Sequence, residues 1–322
     1  MSEANILVAP WHPLLEQLHQ HFHATTQYQC LLWVDPAQAD PFEGFPLVEE
    51  TRVRTPIRHP RFDPLRAPYV VPLELSRSAD ADLLRDSVEL AWLSWSIEYL
   101  SAMRGQPICG WVTPGSTTAK ALTGHWGRHC HLHVDQRQAK LLRFQDPGVR
   151  EWLWTDFSDS QQRAMLGPAT GVHAIGRGQQ FIHHSYVHAA KPSSHSPNEP
   201  GESPALRLNQ LQWDQVEDYG VTHAAWLAWR SSRAEEVAVC QGPGWERAVL
   251  GALSQATRFG LRDAADRELF ALHALRFGAG FYQHQRLQDV WRKTQAGDFY
   301  GSALEEITGR PVDQIDAFIH GL

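Results

Sequence analysis

The residues best suited to chemistry in this chain are histidines. His125, His129, Cys130, His131 and His133 crowd into nine positions. On a helix, His125 and His129 stand one turn apart on one side, a spacing that metal sites use. The pattern lacks the glutamate of H-E-x-x-H, Gly127 weakens the helix between them, and an ion would need a third ligand from elsewhere. The alternative is that these rings only pack and hydrogen-bond within the fold, and on that reading no metal and no cofactor is assigned. His19 and His23 share the same i, i+4 relation near the N-terminus, where a solvated histidine face is the expectation. Further on, Gly171–Gly178 has glycines but neither G-x-G-x-x-G nor G-K-[ST], and His183, His184 and His188 have no G-x-S-x-G near them. No catalytic residue is assigned.

These side chains need elements to position them. Leu14, Leu18 and Phe22 fall at helical spacing over residues 10–24. Tyr28–Val34 reads as a strand. Residues 35–68 hold seven prolines and read as a long irregular loop. Tyr69–Leu75 is a second strand, whose Pro72 suits an edge or a bulge. Ser78 or Asp80 can cap a helix running to about Arg104, with Leu84, Val88, Ala91, Trp95 and Tyr99 as its core stripe. Ile108–Val112 is a third strand, and Ser116 can cap a helix carrying Leu122 and Trp126. The stretch Lys140–Pro168 is the best punctuated: a strand over 139–144, Asp146 capping a helix with Pro147 at its first position, and a second helix boxed by Ser158 and Gln161 and stopped by Gly167-Pro168. Phe181–Val187 is a further strand.

At 322 residues the chain suits two domains. Residues 191–205 (KPSSHSPNEPGESPA) lack any large apolar side chain and read as a flexible linker. Beyond them the pattern is helical. Gly260 and Gly278 separate helices, and Asp263 can cap one bearing Leu269, Leu272 and Leu275. The expected architecture is an α/β N-terminal lobe over 1–190 with a small mixed sheet, the linker at 191–205, and an α-helical C-terminal lobe over 206–322. The net charge of −7 argues against a nucleic-acid partner. No apolar run is long enough for a bilayer, the N-terminus lacks the pattern of a secretory signal, and the four scattered cysteines suit reduced thiols in a cytoplasm.

The segment Leu142-Arg143-Phe144-Gln145-Asp146-Pro147-Gly148-Val149 resembles the R-F-x-D-P-x-V signature of the type VI secretion effector-chaperone, or adaptor, family. Ala67–Leu73 is similar to its P-Y-L-V-x-L strand. Gly110-Trp111 before a capped helix and Leu166-Gly167-Pro168 resemble its middle and its F-F-G-P end. Gly260–Phe281 is similar to a pattern of the helical lobe that often follows. The likeness runs over about residues 28–300. Two departures stand out: Trp33-Val34-Asp35-Pro36 replaces L-D-G/A, and the 125–133 histidines replace a leucine- and arginine-rich helix.

The resemblance implies a cytoplasmic, non-enzymatic loading factor. Its partners would be a cognate type VI effector and the VgrG spike protein, with no nucleic acid and no membrane. No catalytic residue comes with the family. Trp154 lies off the Val149–Trp152–Leu153 face, and as an exposed tryptophan it is the candidate partner contact. The competing expectation is a histidine- or metal-dependent hydrolase that is itself a secreted effector.

Overall fold

The computed structural model describes residues 9–37, 39–58, 62–102, 105–135, 138–185, 206–232, 245–311 and 315. The chain divides into two compact units, Met1–Asn209 and Gln210–Leu322. The expected linker, 191–205, lies outside the described residues, as does the histidine at 188.

The first unit opens with α1 (His12–Thr26) and β1 (Gln29–Val34), followed by α2 (Pro46–Thr51), β2 (Val53–Arg54) and β3 (Tyr69–Glu74). Next come α3 (Ser78–Leu93), α4 (Ile97–Ser101), β4 (Ile108–Thr113) and α5 (Ala119–His129). The hairpin β5 (His131–Asp135) and β6 (Gln138–Leu141) leads to α6 (Pro147–Trp154) and α7 (Asp159–Leu166), and the hairpin β7 (Gly171–Ile175) and β8 (Phe181–Ser185) ends the unit's regular structure. Six strands form one sheet in the order β2-β3-β1-β4-β7-β8, and β5 and β6 form a separate two-stranded ribbon.

Each ladder of the sheet is antiparallel, which differs from the mixed sheet expected. The difference has a topological reason. A strand–helix–strand crossover normally makes parallel neighbours. Here β3 and β4, joined through α3, are indeed parallel to each other, but β1 lies between them and runs against both. Pro72 of β3 faces a gap in the sheet, because β2 reaches only Tyr69 and Val70.

Other expectations shift in detail. The proline-rich loop contains α2 and β2, since Pro46 starts a helix at a position where its missing N–H costs nothing. The long helix ends at Leu93. There the Ser94 hydroxyl turns back to the Ala91 carbonyl (2.8 Å), and Ser96 caps a new helix at Tyr99 N. Asp80 does not cap α3; it is buried and accepts the Glu74 N–H at 2.7 Å, tying α3 to β3. Thr118, not Ser116, caps α5. The 139–144 strand stops at Leu141, and it belongs to the ribbon rather than to the sheet.

Helices cover both faces of the sheet, so strands read as nearly continuous apolar runs. On one face α1 buries Leu15, Leu18 and Phe22, and Trp111 of β4 donates to Ser87 of α3 (2.9 Å). On the other, Trp33 of β1 stacks on Trp126 of α5, with ring centroids 3.8 Å apart. Cys30, Cys109 and Cys130 are free and buried, and burial raises all three thiol pKa values.

The second unit holds α8 (Gln210–Ser232), α9 (Trp245–Ala256), α10 (Ala264–Phe277), α11 (Gln288–Ala296) and α12 (Tyr300–Thr308). Asp263 caps α10 as expected, accepting from Ala265 N and Asp266 N. Leu253, Phe270, Trp291 and Tyr300 are buried, and an ion pair between Asp218 and Arg267 joins α8 to α10. No helix among the described residues is long and apolar enough to cross a membrane.

Candidate functional site

The motif residues Arg143–Asp146 form a corner where the chain leaves the ribbon and enters the core. Leu142 N–H donates to the Cys130 carbonyl (2.9 Å), after which Leu142 and Phe144 are buried. Alternation turns Arg143 and Gln145 toward Asp35, just past the end of β1. Arg143 Nη2 and Gln145 Nε2 donate to Asp35 Oδ2 at 2.8 and 3.1 Å, and Ala37 N–H donates to Oδ1 at 2.9 Å. Three donors satisfy a carboxylate that is almost fully buried, as a charge out of water requires. Asp146 then caps α6, accepting from Gly148 N and Val149 N at 2.8 and 3.3 Å.

Arg143 itself is 43% exposed. It borders a shallow, open depression lined by Asp35, Ala37, Tyr99, Gln106 and Pro107, too slight to enclose a small molecule. Burial works against the Arg143 charge, but Asp35 and Asp146 outweigh it and raise its pKa. The result is a guanidinium anchored by a buried acid and available to an acceptor from solvent.

Beneath this corner sits Arg150, 1% exposed. Its Nη1 donates to the carbonyls of Phe144 (3.2 Å) and Gln145 (3.0 Å), its Nη2 to that of Cys109 (2.6 Å), and its Nε to His184 Nδ1 (3.3 Å). The Cys109 carbonyl is free because β4 bulges there. Gly110 pairs with Trp33 but Ile108 with Val34, leaving Cys109 over. Gly110 takes φ +143°, and a Cβ would lie 2.3 Å from the His173 carbonyl oxygen. Burial lowers the Arg150 pKa to about 10, so it stays charged at neutral pH. Burial first, then Arg150, lowers that of His184 to about 3.

Trp154, the expected partner contact, is half-buried rather than exposed, and its ring lies 4.7 Å from that of His184. That His184 is the ring to which Arg150 Nε donates. Helix α6 curls its other side chains inward, with Val149 and Leu153 buried and Trp152 half-buried.

His125 and His129 do share one side of α5, with ring centroids 4.1 Å apart. Their nitrogens serve the fold. His125 Nε2 donates to the Ala164 carbonyl (2.7 Å), and His129 Nδ1 accepts from Leu206 N–H (3.1 Å). Gly167 lets His125 come close, since a Cβ there would fall 2.4 Å from its ring. Burial lowers both pKa values, that of His129 to about 4. Among the described residues, no group of three or more His, Cys, Asp or Glu is arranged to hold a metal ion. His19 is half-buried and His23 lies against Tyr28.

A different set of histidines meets across elements. His21 of α1, His173 of β7 and His183 of β8 form a contiguous stack. The available signal was the glycine pair Gly176 and Gly178. A hairpin turning there places His173 opposite His183, although nothing local brings in His21.

No curated protein and no solved structure matches the chain. A family model described as "Domain of unknown function (DUF4123)" matches residues 65–164, from just before β3 into α7, and so includes the Arg143–Asp146 corner, Arg150 and Trp154.

Proposed function

We propose that this chain is a cytoplasmic, non-catalytic adaptor that holds a type VI secretion effector and loads it onto the VgrG spike. The observation that carries the reading is where the family-model match falls on the chain. The family-model match at 65–164 encloses the Arg143–Val149 motif, on which the resemblance to the effector-chaperone family rests. The site chemistry agrees with binding. Arg143 is held by a buried carboxylate beside an open depression, Asp146 and His125 bond backbone groups, and Arg150 bonds three backbone carbonyls and His184. Two compact units provide two bodies on which separate recognition surfaces can lie.

The test is co-expression with the effector encoded beside this gene, with and without this chain. The effector is expected to be soluble, to be captured together with the spike protein, and to be secreted only when the chain is present. Equal solubility and equal secretion in its absence would overturn the reading.

A further inference from the structure

The sheet hides a second histidine group, outside the matched residues and unrelated to the Arg143 corner. His173 lies on β7 beneath α1 and is 3% exposed, and neither of its ring nitrogens has a hydrogen-bond partner among the described residues. Buried donors and acceptors left unpaired cost stability, so such a residue calls for an explanation. Its ring is sandwiched. His183, directly opposite on β8, stacks on it with centroids 4.2 Å apart and planes 2° apart, and His21 of α1 meets it edge-on at 4.1 Å. Phe22 and Phe181 complete the surround. His21 Nε2 is hydrogen-bonded to Thr113 Oγ1 at 2.9 Å, which pins α1 to β4.

We infer that the His21–His173–His183 stack is an acid-sensitive latch, which holds α1 against the sheet while the three imidazoles are neutral and releases it when they gain protons. Stacked rings at this distance pack well only when neutral, because two imidazolium ions in van der Waals contact repel with little water to screen them. The surroundings offer no compensation. From β8 come His183 and also His184, which is turned to the other face; from α1 comes His21; from β4 only the uncharged Thr113. Among the described residues, neither α3 nor any other element brings a carboxylate or a further cation that acts on the three rings. His21 is half-buried and His183 exposed, so protons can reach the stack at its rim. Helix α1 is the element able to give way, since it lies on the sheet's surface and carries the His21–Thr113 bond, whereas His173 and His183 sit in a ladder.

The sign follows from linkage. Burial first, then the neighbouring histidines, lowers the His173 pKa to about 2, and burial lowers those of His21 and His183. The docked form therefore binds fewer protons than the released form, and docking weakens as pH falls below the ordinary histidine value of 6.5.

Hydrogen exchange read by mass spectrometry on the full chain tests this at about pH 7.5 and about pH 5.5, each scaled to the intrinsic exchange rate. Opening of residues 12–26 is expected to rise about tenfold on acidification, well beyond any rise in α3, which carries no histidine. Two variants assign the effect. H173F keeps an aromatic ring between His183 and Phe22 but cannot titrate; H183Q alters only the exposed rim and leaves the core intact. Each is expected to cut the acid response of α1 to about twofold or less. Unchanged α1 protection at the two pH values, an equal rise in α1 and α3, or a full response surviving in both variants would each overturn the latch.

Discussion

Arg150 has been taken out of water without a carboxylate to bond to it among the described residues; backbone carbonyls and one neutral imidazole do that work. Removing it strands three carbonyls. Arg150→Met should therefore cost about 3 kcal/mol or more in urea unfolding, although methionine fills much of the volume. Arg150→Lys should recover little, since one ammonium cannot span acceptors that a planar guanidinium reaches together. Trp154 presents a different balance. Half-buried against His184, it should lose about 1–2 kcal/mol as Trp154→Ala, less than a fully buried tryptophan would. Capture of an effector or spike protein by that variant decides its role: a loss larger than the fall in stability explains marks a partner contact, and a loss no larger marks a packing residue. The partner contact is the role its position in the sequence suggested; the packing against His184 was not legible beforehand. Helical spacing placed Trp154 off the core face of α6, but the hairpin that brings His184 against it is contributed by residues thirty positions away.

At the scale of elements, the most consequential irregularity is the bulge in β4. Gly110→Ala should destabilise the first unit by more than about 2 kcal/mol, measured by chemical unfolding, because a methyl group there meets the His173 backbone rather than a side chain that could move. Asp146→Ala should cost about 1 kcal/mol, the ordinary worth of an N-cap. The contrast between these sites explains what could be read in advance. The caps at Asp146, Ser158 and Asp263 stand where the sequence places them, whereas those read at Ser78 or Asp80 and at Ser116 do not. Leu84, Val88 and Ala91 of the expected stripe are buried on α3, while Trp95 and Tyr99 lie past its end. The two-residue β2, the bulge at Cys109 and the transfer of 138–141 to a separate ribbon depend on strands distant in the chain, and periodicity carries no record of them. The histidines show the same division: the i, i+4 pairing of His125 and His129 is local and correct, while the employment of their nitrogens by Ala164 and Leu206 is tertiary.

For the whole molecule, buried neutral histidines in both units set the response to acid. The pKa values of His173, His184 and His273 lie at about 2, 3 and 3, each lowered chiefly by burial. The unfolded chain takes up these protons near pH 6.5 and the folded chain does not, so stability is complete above that value and declines as pH falls through it toward the folded values. Melting temperatures at about pH 7.5, 6 and 4.5 should fall in that order, the steeper drop lying between the lower two. The antiparallel order of the sheet has a further consequence, for synthesis. Strand β1 is made before either of its neighbours, yet all but one of its residues are buried in the finished fold. Until β3 and then β4 emerge, the ribosome displays an unpaired Cys-Leu-Leu-Trp-Val strand, with α1, among the described elements, alone made in time to shield it. Yield of soluble protein should therefore be limited by the speed of elongation past Thr113 more than by the stability of the product.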